Sequence, residues 1–294
     1  VTLTFYRECS GVAAPSVFAP FTGNTHVVVK SPSTGSTASL SLTSITPFPV
    51  PVFPQIGGAG CPFTGSCSGG GTNQTEIYTY KGILSLPSAR TDWTIFAAVT
   101  ARNYNITTIN TSTNNLYDIC VNAVINNTSS VGCNNSPTWN APPPNYLCIN
   151  SLNTYSTSAT DVDGDSIVYS MINPQHLGSG PNWNFNWNTT TSNVPYNGTV
   201  PNYLAPLIGT TTLDQFNGNM SFNPSQQHVT IMAIKADEYR NGVLIGSITR
   251  DIQTTSLVCN SDPPNLTGID TLALADLNTN SFYFCANGNA VMTF

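Results

Sequence analysis

The stretch Val-Thr-Ile-Met-Ala-Ile-Lys-Ala (Val229–Ala236), Asp-Glu-Tyr-Arg, Asn241-Gly242, then Val-Leu-Ile-Gly-Ser-Ile-Thr-Arg-Asp-Ile-Gln-Thr-Thr-Ser-Leu (Val243–Leu257) decides the fold. Two runs rich in β-branched residues flank an Asn-Gly pair. Both turn positions tolerate positive φ, as a tight hairpin turn requires, so the stretch predicts two long antiparallel strands.

The rest of the chain repeats that chemistry in shorter pieces. Uncharged Asn, Thr and Ser alternate with Val, Ile, Tyr and Phe, and 21 Pro and 22 Gly punctuate the runs. This composition predicts many short strands and no helix, an all-β protein. Charged residues are only 7% of the 294, but 10% are aromatic, which argues against disorder. The net charge of −6, with 8 Lys and Arg, argues against nucleic acid as a partner, because basic groups must displace its counterions. No apolar run approaches a membrane span. Residue 1 already lies in a strand-like pattern, so the numbering is expected to begin after processing or inside a longer precursor.

Strands are expected at Val1–Tyr6, His26–Lys30, Ser39–Ile45, Glu76–Leu86 (with Gly82 as a bulge), Trp93–Ala101 and Leu116–Ile125. The alternating prolines of Pro47–Pro54 suit only an edge or an extended loop. These strands make residues 1–132 a first β-sandwich. A stiff connector follows, with Pro142-Pro143-Pro144 between Cys133 and Cys148. Residues 133–259 form a second sandwich. Cys259-Asn-Ser-Asp-Pro263 echoes Cys133-Asn-Asn-Ser-Pro137, so residues 260–294 read as a partial module or C-terminal strand extension.

Eight cysteines without a CxxC or Cys/His cluster point to structural disulfides in an oxidising compartment, and hence to export. The repeated boundary suggests local pairs, Cys133 with Cys148 and Cys259 with Cys285. Cys61 with Cys67 would staple a Gly-rich loop, leaving Cys9 for Cys120. A competing scheme joins Cys148 to Cys259.

The chemically loaded stretch is Thr157–Tyr169, where Asp161, Asp163 and Asp165 crowd one turn around Gly164. Like-charged oxygens so close repel unless a cation or solvent separates them, and hard oxygen donors suit Ca²⁺. An EF-hand is excluded, because the sixth position is Ser166 where Gly is needed, and the twelfth is Ile172 where Glu is needed.

Taken in order, Tyr6-Arg-Glu-Cys-Ser-Gly11, Arg102-Asn103, Cys133-Asn-Asn-Ser-Pro137, Ala159-Thr-Asp-Val-Asp-Gly-Asp-Ser-Ile-Val-Tyr169, Glu238-Tyr-Arg-Asn-Gly242 and Arg250-Asp-Ile-Gln253 resemble one group. These are the multi-modular surface proteins of Bacteroidota, associated with gliding motility and type IX secretion. The second module also resembles cadherin-like and PKD-like domains. The resemblance implies immunoglobulin-like or cadherin-like modules. It also implies a structural Ca²⁺ site drawing Asp161, Asp163 and Asp165 together with Asp237 or Glu238. Two departures stand out: Thr100-Ala101 replaces the paired cysteines expected before Arg102, and no sorting domain is visible. Asp165-Ser166-Ile167 and Asp270-Thr271-Leu272 fit the short pattern on which that phylum attaches O-glycans, at Ser166 and Thr271.

No catalytic constellation is legible. His26, His176 and His228 lie far apart with no nucleophile signature beside them. Trp183 and Trp187, alternating with Asn around Phe185, would stack on a sugar if exposed or fill a core if buried. The expectation is a non-enzymatic, secreted structural or adhesive surface protein. Its partners would be neighbouring copies, other surface proteins or glycans, with residues 281–294 offered for strand addition to a neighbour. The alternative is a carbohydrate-binding module or adhesin tip, with a hydrolase as the third and least favoured reading.

Overall fold

In the computed structural model the hairpin is longer than its sequence signature. His228–Arg240 pairs with Val243–Leu257, and both turn residues take positive φ, 52° at Asn241 and 79° at Gly242. The structure describes residues 1–8, 13–20, 25–46, 50–52, 75–100, 102–103, 105–109, 117–144, 146–177, 191–198 and 201–259. It also describes three short strands, Ala275–Asp276, Ser281–Tyr283 and Val291–Thr293. The described residues are all β, in several mostly antiparallel sheets, with no helix among them.

The hairpin is the middle of the largest sheet. Ser166–Ile172 flanks it on one side, and Ile119–Ile125, Trp93–Val99, Thr25–Lys30 and Thr37–Ala38 follow on the other. The sheet therefore crosses the division drawn at residue 133, because Ala123, Val124 and Ile125 pair directly with Ile248, Ser247 and Gly246. Residues in register share a face, so Val27, Ala97 and Val121 stand on the same side as Met232, Ile234 and Ile252.

Two smaller sheets cover that face. Thr2–Glu8, Thr75–Lys81, Leu42–Ser44 and Val17–Phe18 form one, with Val50–Val52 added onto Thr75–Ile77. Between this sheet and the large one lie Phe18, Val27, Val29, Leu42, Tyr80 and Trp93. The polar tips of the largest members are satisfied: Tyr80 donates to Pro15 O (2.6 Å) and Trp93 Nε1 to Ser88 O (2.9 Å). The other small sheet joins Asn153–Ser156, Asn219–Pro224 and Gly209–Leu213, burying Met220 and Phe222 against Met232, Ile234 and Ile252.

Several sequence expectations are corrected. The Glu76–Leu86 strand ends at Lys81, and Gly82 marks a close approach rather than a bulge: a Cβ there would sit 2.1 Å from Ser41 O. In the long hairpin the register shifts at Glu238/Tyr239, as at a bulge. Within the proline run, Val50–Val52 is an edge strand.

The local cysteine pairs are corrected too, and the competing scheme is the one that forms. Cys148 bonds Cys259 across 111 positions, with Cα atoms 5.3 Å apart. The strand Tyr146–Cys148 runs parallel to Thr255–Leu257, and that pairing brings the two cysteines together. Neither the Cys133–Cys148 pair nor the Cys259–Cys285 pair forms, and Cys133 is an exposed free thiol. Cys120 is a free thiol buried against Val28, Phe96, Ala98 and Leu177, so it is not tied to Cys9. Cys9, Cys61, Cys67, Cys285, Thr271, Trp183 and Trp187 lie outside the described residues. Of residues 281–294, Ser281–Tyr283 and Val291–Thr293 pair with each other, and the former also with Ala275–Asp276.

Candidate functional site

The acidic turn packs against the closed end of the long hairpin. Asp161 folds the loop onto itself, its Oδ1 accepting from the backbone N–H groups of Asp163 (2.9 Å) and Asp165 (3.0 Å). Gly164 takes φ 82° to complete the turn. Among the described residues, Asp161 Oδ2 is buried with no hydrogen-bond partner.

The five carboxylates singled out in the sequence separate into three groups. Asp163 turns away to the connector, accepting from Asn135 N (2.6 Å) and Asn135 Nδ2 (3.1 Å). Asp237 stands on the opposite face of its strand from Glu238, with Oδ1 2.7 Å from Lys235 Nζ. Asp161, Asp165 and Glu238 come together, each offering an oxygen within 4.8 Å of the others.

Glu238 is the unusual member, being 0% exposed. Its carboxyl faces the Asn134 amide and the Asp165 carboxyl. Space for it exists because its cross-strand neighbour is glycine: a Cβ on Gly246 would lie 2.6 Å from Glu238 Oε2. Burial pushes the Glu238 carboxyl up to about 7. The nearby amide of Asn134 opposes this, while the charges of Asp161 and Asp165 add to it.

Arg240 was not anticipated as part of this site. Its Nε donates to Asp165 Oδ1 (2.8 Å) and its Nη2 to Asp165 Oδ2, a bidentate fork. This contact holds the Asp165 carboxyl below the usual carboxylate range. The same guanidinium donates to Val131 O (2.8 Å), Cys133 O (3.1 Å) and Asn134 Oδ1 (2.7 Å). It therefore ties connector, acidic turn and hairpin end at one point. The signal was present in Glu238-Tyr239-Arg240, beside a turn whose charges were otherwise all negative. Ser166, the first residue of the strand after the turn, is exposed.

A second polar centre lies further along the sheet. Arg102 (2% exposed) donates from Nη1 to Asp251 Oδ1 (2.8 Å), from Nη2 to Asp251 Oδ2, and from Nη2 to Gln175 O (3.2 Å). Asn103 Nδ2 donates to Gln253 Oε1 (3.0 Å). The Arg102-Asn103 and Arg250-Asp-Ile-Gln253 motifs, far apart in sequence, are thus one clamp. Asp118 lies beside it and accepts from Leu177 N (2.8 Å). Burial pushes the Asp118 carboxyl up to about 6, despite that bond and the charge of Arg102. Arg250 points to the other face, donating to Tyr155 OH (2.7 Å) and Ala141 O (2.9 Å) with its guanidinium carbon 4.7 Å from the Trp139 ring centroid.

No family model, curated protein or solved structure matches the chain. No helix among the described residues is long and apolar enough to cross a membrane.

Proposed function

We propose that the chain is a secreted, non-enzymatic structural or adhesive protein of the cell surface, built on immunoglobulin-like β-sandwich packing. The observation that carries this reading is the arrangement of its cross-links. The Cys148–Cys259 bridge encloses the acidic turn, the three-stranded sheet and the whole hairpin. Tension entering the chain at Cys148 and leaving at Cys259 passes through a covalent bond, so the strands between carry none of it. The Arg102–Asp251 clamp then joins this shielded part to the strands that precede it. Resistance to deformation is what such ties supply, and it suits a protein that holds shape on a surface. The low charge fits the same role, since solubility resting on uncharged Asn, Thr and Ser varies little with salt.

Two measurements test the reading. Antibody labelling of intact source cells should detect the protein, and a cytoplasmic location with reduced cysteines would overturn the proposal. Single-molecule pulling from the two ends should show an extra length of roughly 400 Å only after reduction, from 111 positions at about 3.6 Å each. Release of that length with the bridge intact would refute the shielding.

A further inference from the structure

We propose that the open border of Thr2–Glu8 is a self-pairing edge, at which two copies of this chain join antiparallel through Thr2, Thr4 and Tyr6. Such pairing needs only the strand itself and holds wherever the protein resides, so it goes beyond the cell-surface reading.

Thr2–Glu8 ends its sheet and pairs on one side only, with Thr75–Lys81. Just before it, Val1 and Gly82 exchange both their bonds, Val1 N donating to Gly82 O (2.8 Å) and Gly82 N to Val1 O (3.1 Å). Exchanging pairs alternate along an antiparallel ladder, so Leu3 and Phe5 bond inward to Tyr80 and Tyr78. Thr2, Thr4 and Tyr6 therefore turn their N–H and C=O groups to the open side, where no strand pairs with them among the described residues. Thr2 and Thr4 are exposed.

Proteins close borders of this kind with charge, proline, brevity or a covering loop. Other borders of this fold carry those devices. Val50–Val52 is short and contains Pro51, and Thr37–Ala38 is shorter still. Ser166–Ile172 has a loop over its middle, Gln215 O accepting from Tyr169 N (2.8 Å). Thr2–Tyr6 has none of them: it holds no charged residue, no proline and no register shift.

The strand's own sequence fits that border. A second copy laid antiparallel and centred on Thr4 sets Thr2 against Tyr6, Thr4 against Thr4 and Tyr6 against Thr2. Each of these pairs can exchange both bonds, as Val1 and Gly82 do. On the core side, Leu3 then faces Phe5 of the copy. Both side chains are only partly buried in the single chain, where they pack against the core that holds Phe18, Leu42 and Tyr80. Pairing thus extends an apolar cover that one chain leaves incomplete. The nearest charge, Arg7, is already met by Glu76 (3.2 Å). A strand of another protein would need a charge to select it, and Thr2–Tyr6 offers none, whereas a copy meets matching uncharged residues throughout. Two-fold pairing uses the edge of both copies, so the assembly closes as a dimer.

The test is sedimentation equilibrium over a concentration series, with Cys133→Ser present throughout to exclude linkage by the exposed thiol. A monomer–dimer equilibrium is expected, without larger species. Thr4→Pro should weaken the dimer at least tenfold with an unchanged circular dichroism spectrum, because the lost N–H points out of the sheet. Thr4→Lys, which sets like charges face to face at the centre of the pairing, should do the same. Thr4→Val keeps the backbone donor and should change the affinity less than threefold. An excess of a peptide of residues 1–8 should return the dimer to monomer, a result that decides the matter even if Thr4→Pro fails to fold. A chain that stays monomeric up to about 1 mM overturns the proposal. A dimer that withstands Thr4→Lys and the peptide overturns this interface, and growth beyond the dimer overturns two-fold closure.

Discussion

Replacing Arg102 with Met should be among the most damaging single changes in this protein, and the structure says why. Arg102 and Asp251 are 2% and 4% exposed, and the guanidinium satisfies both carboxylate oxygens of Asp251 as well as Gln175 O. Methionine fills much of the same volume but leaves Asp251 charged and buried, close to a second buried carboxylate, Asp118. Removing one member of such a pair costs about 3–5 kcal/mol, most of it the penalty of the stranded charge. For a chain of this length each kcal/mol is worth about 2–4 °C in melting temperature, so a fall of about 10 °C is expected. Urea unfolding followed by the fluorescence of buried Trp93 measures it directly.

Two controls separate the stranded charge from lost packing. At pH 5 the loss should shrink, because removing Arg102 takes away a charge that holds the Asp118 carboxyl down, so this group sheds its charge more readily. Adding Asp251→Leu should restore at least half of the lost stability, since replacing both partners of a buried pair is often nearly neutral. A double variant as unstable as Arg102→Met, or a loss below about 1 kcal/mol in the single variant, would refute the account.

Asp118→Asn isolates a pH effect. The folded chain holds the Asp118 proton up to about 6, against an ordinary value of 3.8, so it binds more protons than the unfolded chain between those limits. Stability contributed by this group therefore falls as pH rises through about 4 to 6, by at most about 3 kcal/mol, and Asn should remove that part of the slope in urea midpoints. An identical slope in the variant would contradict this. Serine at both Cys148 and Cys259 should cost about 2–4 kcal/mol, read from the same midpoints, because the bridge closes a loop of over 100 residues; an unchanged midpoint would show that the bridge adds no stability. Gly242→Ala and Gly246→Ala separate two reasons for glycine. The first meets open space and should cost only the roughly 1 kcal/mol of a positive φ, whereas the second meets Glu238 and should cost about 2–3 kcal/mol. Equal losses in thermal or urea unfolding would remove the distinction.

The sequence revealed strands far better than it revealed their neighbours. The Asn241-Gly242 hairpin, Thr25–Lys30 and Trp93–Val99 were legible because local patterning encodes them. That Ile119–Ile125 pairs with Val243–Leu257 was not legible, since nothing in either run specifies the other. The same limit governed the cysteines. A local echo of Cys133 and Cys259 favoured local bridges over the competing Cys148–Cys259 scheme, and a parallel pairing of three residues decided for the latter. The acidic site was half legible. Alternation along a strand forbids Asp237 and Glu238 from facing the same side, so only one of them can join the turn. Which one depended on the face covered by the other sheets. The Asn135 amides that take Asp163 away belong to a loop contact with no periodic signature.

The pairing of Ile119–Ile125 with Gly246–Ile248 has a consequence for how the chain matures. A polypeptide emerging from its amino end has made Trp93–Val99 and Ile119–Ile125 long before the strand that completes their sheet exists. Until residue 248 is available, the open border of Ile119–Ile125 offers unmet amides and carbonyls to any passing strand. Contacts of such long separation form slowly. A fragment cut at residue 132 would preserve that unfinished state, and it should clump where the full chain does not.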